Sequence, residues 1–313
     1  MDMDMDMDMD MAMGMATTAR MPIPRTSTST STGTGLPTHT TPPARPAPSA
    51  AGSEGVDQAT MDQDAATAPA ASIPAPIPAC ADPAAGLPAP ELAMMWLSSP
   101  ALPVGGFSYS EGLEAAVDAG VVPDEAGALR WLRGQLQLVL ARSELPAAAR
   151  AHAAWRAGDL RSLREVQSWV LATRESAELR LQSQQMGRSM LDWLARLLPG
   201  HALLDRAAQL GTAPCWPLGF ALGACALGLD ARRTLQALGF SWLDNQVQAA
   251  LRSVPLGQSS GQRLLHALSQ DLPAAVERAL ELRDRPESWQ SFSPMLAVLS
   301  ARHETQYSRL FRS

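Results

Sequence analysis

Lysine is missing from this sequence of 313 residues, so all 25 of its basic residues are arginine. A Walker A phosphate loop, a protein kinase and a pyridoxal phosphate enzyme each depend on a lysine that contacts a phosphate or binds the cofactor. The absence of lysine therefore excludes these three classes of protein.

Cysteine is scarce as well, because the sequence has three cysteines and no C-x-x-C pair. It therefore predicts neither a disulfide framework nor a thiolate zinc site. The five histidines are widely separated, and the run His303-Glu304 has Tyr307 where an H-E-x-x-H zinc motif requires its second histidine. We predict no metal site and no bound cofactor.

The charge pattern favours neither a nucleic acid nor a membrane as partner. The formal net charge is −6, but residues 1–88 hold ten of the 31 acidic residues and three of the 25 arginines, which leaves 21 acidic and 22 basic residues in the rest. A nearly neutral chain without a basic stripe is atypical of a nucleic-acid-binding protein. No apolar run approaches the ~18 residues of a membrane span, and the first residues do not resemble a secretory signal, so we expect a cytoplasmic protein.

Residues 1–88 differ in composition from the rest of the chain. They begin with a Met-Asp repeat and continue with Ser, Thr, Ala and Pro, which cannot bury enough apolar surface to offset the entropy of ordering. We interpret them as a disordered, dispensable tail; metal capture by the Met and Asp side chains is the alternative. Residues 89–313 contain all eight tryptophans, and we predict that they form one domain that buries roughly 70% of its unfolded surface.

Apolar residues recur at helical spacing throughout residues 89–313. Leu129, Leu132 and Leu136 follow this pattern, and the stretch 217–228 is apolar on every side, which indicates a central helix. No strictly alternating, β-branched run predicts a strand. The sequence therefore predicts an all-α fold, a single bundle of about nine to ten helices.

Capping residues and breaks in the pattern predict where several helices begin. Asp159 and Asp230 stand directly before apolar-periodic segments, where a carboxylate can accept hydrogen bonds from the first helical N–H groups. A long helix is predicted over residues 174–198, and two shorter ones over residues 257–269 and 271–283.

Residues 99–112, which we call the glycine loop, are the least compatible with a helix. Pro103 removes a backbone donor, while Gly105 and Gly106 permit positive φ and a close approach of neighbouring backbone. The pattern predicts a helix, a shaped loop and a second helix.

Ser108 and Ser110 of the glycine loop come within one residue of a G-x-S-x-G nucleophile elbow. Neither pattern is complete, and the elbow requires a preceding strand. We predict that these hydroxyls cap a helix or bind the loop backbone, and that the chain has no catalytic residue. A helical serine hydrolase is the alternative.

The end of the chain combines aromatic and basic side chains. Tyr307, Leu310 and Phe311 alternate with arginines outside any periodicity that forms a bundle. Arginine and aromatic side chains are typical interface anchors. We therefore predict that residues 302–313, called here the C-terminal segment, dock on a partner rather than on the chain's own core.

Four stretches of the sequence resemble one known family. They are S98-S-P-A-L-P-V-G-G-F-S-Y-S-E-G-L-E114, T173-R-E-S-A-E-L-R180 with Q185-M-G-R-S189, N245-Q-V-Q-A-A-L-R-S-V-P-L-G-Q258, and R302-H-E-T-Q-Y-S-R-L-F-R-S313. In this order they are similar to the signatures of the urease accessory protein F family, helical proteins that help to load nickel into urease. The resemblance covers residues 91–313.

The resemblance implies a non-enzymatic factor for urease maturation. Such a protein forms a homodimer, binds a D/H-type accessory protein, and with it recruits a nickel-carrying GTPase to apo-urease, where GTP hydrolysis is coupled to nickel insertion. Whether the GTPase is stimulated or restrained stays open. A chain that binds nickel itself, as a metallochaperone, is the alternative to this picture.

The positions that match the family are the candidate partner-binding residues. By spacing alone, Arg174 and Glu178 predict neighbours on a solvated helix face, whereas the resemblance assigns the helical surface after Arg174 to homodimer contacts. The candidates are Pro103, Gly105, Gly106, Phe107, Tyr109, Glu111, Arg174, Glu175, Gln246, Arg252, Gln258, Arg302, His303, Glu304, Tyr307, Ser308, Arg309 and Phe311.

Overall fold

The computed structural model of this protein describes residues 87–291 and 293–313. The predicted tail, residues 1–88, therefore lies almost wholly outside the described residues. The described residues form α-helices, short 3-10 and π turns, and no strand. The prediction of an all-α fold is confirmed for this part of the chain.

Eleven α-helices follow one another along the described residues. Their bounds are α1 Pro90–Ser98, α2 Leu113–Asp118, α3 Glu125–Gln135, α4 Glu144–Ala157, α5 Leu160–Ala172, α6 Ala177–Leu197, α7 Ala202–Ala208, α8 Trp216–Ala226, α9 Ala231–Ser253, α10 Gln258–Leu282 and α11 Pro294–His303. The buried apolar residues of these helices form one contiguous core.

Side-chain caps fix the starts of several helices. Asp159 and Asp230 accept hydrogen bonds from the backbone N–H groups three residues later, at 3.0 and 2.8 Å, as the sequence predicted. Ser176 caps α6 in the same way, at 3.2 Å. Because of this cap, α6 begins after Arg174, with which the predicted helix began.

The helix α10 differs from the prediction of two helices over residues 257–283, since it runs without a break through Pro273. A proline in a helix interior removes one hydrogen bond and crowds the carbonyl four residues earlier, at a cost of ~3 kcal/mol or more. Leu264, Leu268 and Val276 are buried on both sides of the proline. Burial of this apolar face offsets the cost and keeps the helix continuous.

The helix α8 is buried on all sides, as its composition predicted. Ten of its eleven residues are buried, and it packs against α4 and α6. The contact with α6 is a close backbone approach, because a Cβ on Gly219 would lie 3.2 Å from the Cα of Gly187. Glycine at both positions therefore sets the distance between α6 and α8.

Gly187→Ala is expected to destabilise the fold. The added Cβ would overlap the carbonyl oxygen of Pro214 and lie 2.6 Å from the carbonyl carbon of Cys215, and both are backbone atoms. Overpacking of this kind typically costs ~1 to 3 kcal/mol. Gly134→Ala in α3 is the control, because its Cβ meets no heavy atom within 4 Å and should stabilise the helix by ~0.5 to 1 kcal/mol. Equal urea midpoints for the two variants would contradict this packing.

Candidate functional site

The glycine loop packs against α6 and α9. Gly105 has φ 77°, in the left-handed region, and starts a 3-10 turn. Gly106 is buried, and a Cβ there would lie 2.6 Å from the side-chain nitrogen of Asn245. Tyr109 is buried and donates from its hydroxyl to Gln185 at 2.7 Å. Gly105 is therefore favoured for its conformation, whereas a side chain at position 106 would require the amide of Asn245 to move.

Valine in place of either glycine is expected to cost ~1 to 3 kcal/mol of stability. Asparagine variants separate the effect of conformation at Gly105 from the effect of crowding at Gly106, because asparagine tolerates the left-handed region. Gly105→Asn should retain most of the stability, whereas Gly106→Asn should not, because its Cβ meets Asn245. Equal losses for the two asparagine variants in urea unfolding would refute this distinction. Phe107→Ala should change stability little, since Phe107 is 56% exposed.

The C-terminal segment folds back onto the glycine loop. Ser110 donates from its N–H and its hydroxyl to the carbonyl oxygen of Ser313, at 2.8 and 2.6 Å, and the N–H of Arg312 donates to the carbonyl of Ser108 at 2.9 Å. Phe311 is 5% exposed and Ser313 is fully buried. The prediction that this segment avoids the chain's own core is wrong for these last residues, because the loop offers them backbone partners that the sequence pattern does not reveal.

Two carboxylates hold the C-terminal segment in place. Glu114 of α2 accepts from the N–H groups of Leu310 and Phe311, at 2.7 and 3.0 Å. Glu178 of α6 forms an ion pair with Arg309 at 2.5 Å. Charge-assisted hydrogen bonds of this kind are stronger than neutral ones, so the segment is anchored to two helices.

His303 lies between the same two carboxylates and is fully buried. Its Nε2 is 3.2 Å from Glu114 and its Nδ1 is 2.6 Å from Glu178. Because the carboxylates lie at opposite edges of the ring, they cannot bind one metal ion together with it. The burial of His303 also keeps it from direct contact with a partner, for which the sequence had made it a candidate.

Other residues of the same region are exposed. Phe107, Tyr307 and Leu310 are 56, 106 and 71% exposed. The guanidinium of Arg252 donates to the carbonyl of Phe107 at 3.3 Å, and it also lies 5.9 Å from the centre of the Phe311 ring. We call Phe107, Tyr307, Leu310 and Arg252 the loop-tail surface.

A groove of about 450 Å³ lies between α6 and the C-terminal segment, next to the loop-tail surface. Its walls include Leu181 of α6 and the two arginines Arg309 and Arg312. These arginines and Arg302 are exposed. The region therefore offers apolar anchors together with cations that can bind carboxylates of a partner.

Arg174 and Glu175 are set back from solvent rather than placed on a helix face. Arg174 forms an ion pair with Glu144 of α4 at 2.5 Å, and the two side chains are 11 and 10% exposed. The predicted pairing of Arg174 with Glu178 is wrong, because the cap at Ser176 places Arg174 outside α6. Glu178 instead binds the C-terminal segment.

Glu111 faces this ion pair across a cavity of about 20 Å³. It has φ 52°, and its carboxylate accepts from Gln182 at 2.7 Å and from the indole N–H of Trp242 at 2.8 Å. Burial, and then the charge of Glu144, raise the pKa of Glu111 from 4.5 to about 7 despite these hydrogen bonds. Burial also raises the pKa of Glu175.

The remaining candidate residues are dispersed. Gln246 is 2% exposed within α9, so it does not lie on the surface where the sequence placed it. Glu304 accepts from the first N–H of α6 at 2.8 Å and completes the cap of that helix. Pro103, Gln258 and Ser308 are exposed.

Sequence reasoning missed Glu114, Glu178 and Gln182, which join the glycine loop to the C-terminal segment. Gln182 donates to Glu111 and accepts from the hydroxyl of Ser313 at 2.8 Å. These contacts span 71 to 197 residues of sequence, so local patterns do not reveal them. The available signals were that Glu114 ends the first stretch that resembles the family and that Glu178 lies within the second.

Burial limits the reactivity of Ser110 and of the two cysteines that the structure describes. Ser110 is fully buried and its hydroxyl is bonded to Ser313, so it is not accessible as a nucleophile. Burial raises the pKa of Cys215 and of Cys225 to about 12, which is typical of inert thiols. Within residues 87–291 and 293–313, no three His, Cys, Asp or Glu side chains are grouped as metal ligands. In the same residues, no helix is both long and apolar enough to cross a membrane.

Comparison with known proteins tests the resemblance. The family model described as UreF matches residues 122–269. A urease accessory protein UreF of Methylibium petroleiphilum is 58% identical over 224 residues, which are 71% of this chain and 93% of that protein. This chain belongs to the UreF family. UreF proteins of Polaromonas sp. strain JS666 and Paracidovorax citrulli are 54 and 53% identical over 235 and 251 residues; the matches cover 74 and 77% of this chain and 99% of each relative. The resemblance to this family that the motifs predicted is therefore confirmed.

Proposed function

We propose that this UreF-family chain is a non-catalytic factor for urease maturation. With a D/H-type accessory protein it recruits the nickel-carrying GTPase to apo-urease, and it couples GTP hydrolysis to nickel insertion. It acts in the cytoplasm as a homodimer. The observation that carries the proposal is the loop-tail surface, where Phe107, Tyr307 and Leu310 are exposed and Arg252 donates to the carbonyl of Phe107.

The loop-tail surface suits the D/H-type partner because its anchors are held in position before binding. The backbone beneath Leu310 is fixed by Glu114, and Arg309 is fixed by Glu178. A surface that is already ordered loses little conformational entropy on binding, so more of its contact energy appears as affinity.

The charge of this region indicates what the partner presents. The arginines Arg252, Arg302, Arg309 and Arg312 are exposed, and three of them belong to the C-terminal segment that carries Tyr307 and Leu310. Complementary charge speeds association and fixes the register of an interface. We expect the facing surface of the partner to be acidic. The exposed face of α6, which carries Leu181 at 51% exposure, is the surface proposed for the homodimer.

Reconstitution with purified accessory proteins tests the proposal. The chain should form a stable complex with the D/H-type protein, and that complex should capture the GTPase, in size-exclusion chromatography with light scattering. A chain that binds neither protein would overturn the proposal.

Two further measurements test the alternative functions. Equilibrium dialysis of the isolated chain against Ni²⁺ tests the metallochaperone alternative, because tight binding by this chain alone would favour it. Unchanged urease activation by Ser108→Ala would exclude the hydrolase alternative built on that residue.

A further inference from the structure

His303 links three helices through its imidazole ring. It is the last residue of α11, and its Nδ1 lies 2.6 Å from Glu178 of α6 while its Nε2 lies 3.2 Å from Glu114 of α2. Glu114 also accepts from the N–H groups of Leu310 and Phe311. The side chain of His303 is fully buried, and those of Glu114 and Glu178 are 9 and 15% exposed. The ring therefore meets both carboxylates away from solvent.

The two contacts of the ring require a proton on each of its nitrogens. A neutral imidazole has one N–H donor and one bare nitrogen, which can only accept. An ionised carboxylate can only accept as well, so a neutral ring would turn a lone pair towards one of its two partners. An imidazolium donates from both nitrogens and satisfies both carboxylates. The geometry thus fits the charged form of His303.

A proton on one of the carboxyl groups would give the same number of protons, but the surroundings favour the ring as its place. Glu114 accepts from two backbone N–H groups and Glu178 accepts from the guanidinium of Arg309, and such donors stabilise an ionised carboxylate. The ring lies in the last turn of α11, where the helix dipole stabilises a cation. Glu304, the next residue, bonds to the start of α6 instead of to the ring.

We propose that His303 is a buried imidazolium whose charge holds residues 309–311 of the C-terminal segment against α2 and α6. His303 and Arg309 together balance the charges of Glu114 and Glu178. Within the part of the chain that the structure describes, His303 is the one cation that pairs with Glu114. Loss of the ring charge would leave this carboxylate buried and uncompensated, which is strongly unfavourable. Release of the segment gives the carboxylate access to water, so a neutral ring favours the loosened segment.

The role of His303 is therefore that of a positioning residue. The ring is too deeply buried to meet a partner, but its charge determines where Glu114 lies, and Glu114 fixes the backbone of Leu310 and Phe311. A side chain that only fills space would position the segment equally well in its neutral form. The charge state of the ring thus separates the two roles.

Two measurements on the full chain, made between about pH 6 and 9, test the charge. In ¹⁵N NMR, the chemical shifts of the ring distinguish protonated from bare nitrogens, and the signals of His303 are those missing from His303→Asn. Hydrogen-deuterium exchange, corrected for intrinsic rates, reports the protection of the Leu310 and Phe311 N–H groups. Both ring nitrogens should be protonated wherever these groups are fully protected, and protection should fall at least about tenfold where the ring becomes neutral, the factor for one hydrogen bond to a charged group. A neutral ring with undiminished protection would overturn the proposal.

Two variants and a control separate the charge of the ring from its shape. Glu178→Gln presents an amide that can donate to Nδ1 while its oxygen still accepts from Arg309, so a neutral ring satisfies its contacts. Its ring should lose the proton at a lower pH than in the wild type, and protection should no longer follow the ring. His303→Asn places one neutral amide beside two carboxylates, so protection should be about tenfold lower at every pH. His266→Asn removes an exposed histidine of α10 and should keep the wild-type profile.

The Glu178→Gln variant also supplies the sharpest contradiction. If its protection fell together with the loss of the ring proton, the segment would not depend on the charge balance between the ring and its carboxylates, and the proposal would be refuted. These measurements use the isolated chain, so their outcome is independent of the proposed function.

Discussion

Replacing Tyr307 and Leu310 together by alanine is expected to abolish binding of the D/H-type accessory protein and leave the fold intact. The two side chains are 106 and 71% exposed, so their removal takes away little packing within the chain. Anchor residues at the centre of an interface contribute about 2 kcal/mol or more each, so the double variant should weaken the complex by ~1,000-fold. Isothermal titration calorimetry measures the affinity, and circular dichroism of the same sample reports the helicity.

Two further variants show whether the loss of binding comes from the loop-tail surface. Phe311→Ala should behave in the opposite way, because Phe311 is 5% exposed and truncation of a buried phenylalanine costs ~3 to 5 kcal/mol of stability. Met295→Ala removes a side chain of α11 that is 50% exposed and lies outside the loop-tail surface, so both affinity and stability should stay unchanged. Wild-type affinity in the Tyr307 and Leu310 double variant would remove the loop-tail surface as the binding site.

Arg174→Met is expected to lower the free energy of unfolding by about 3 to 5 kcal/mol, because it leaves Glu144 as an uncompensated buried charge. The pair is largely shielded from solvent, with side chains 11 and 10% exposed. Removal of both charges is a different case, since replacing a whole buried ion pair by apolar residues is often neutral. The double variant Arg174→Met, Glu144→Leu should therefore recover most of the loss. Urea unfolding measures all three proteins, and a double variant as unstable as the single one would show that another contact of Arg174 supplies the stability.

The sequence was most informative where one residue type has one structural use. Asp159 and Asp230 cap their helices as expected, and the small, apolar residues of α8 place that helix at the centre. Sequence patterns were least informative where distant contacts decide. Pro273 is accommodated because apolar residues on both sides of it are buried, and Arg174 leaves the helix because Ser176 caps it first.

The candidate site was also predictable only in part. The preference for glycine at 105 follows from its local conformation, whereas the preference at 106 depends on Asn245, which lies far along the chain. The composition of the C-terminal segment also indicated anchors. It could not show that Phe311 faces inward while Tyr307 and Leu310 face outward, because this division depends on Glu114, nearly 200 residues earlier in the chain.

Because Glu114 and Glu178 hold the C-terminal segment, a partner is expected to bind an ordered surface. A free segment would lose conformational entropy on binding, whereas Glu114 and Glu178 already hold the backbone at Leu310 and the side chain of Arg309 in place. Loss of either carboxylate should therefore weaken partner binding indirectly, through the position of the segment.

The most direct test of the loop-tail surface is hydroxyl-radical footprinting of the chain, alone and in complex with the D/H-type accessory protein. The method reports the solvent exposure of individual side chains. Oxidation of Phe107, Tyr307 and Leu310 should fall strongly in the complex, while Leu138, which is 45% exposed next to α3, keeps its reactivity. Oxidation of Phe107, Tyr307 and Leu310 at the same rate in the complex as in the free chain would contradict the assignment of this surface to the partner.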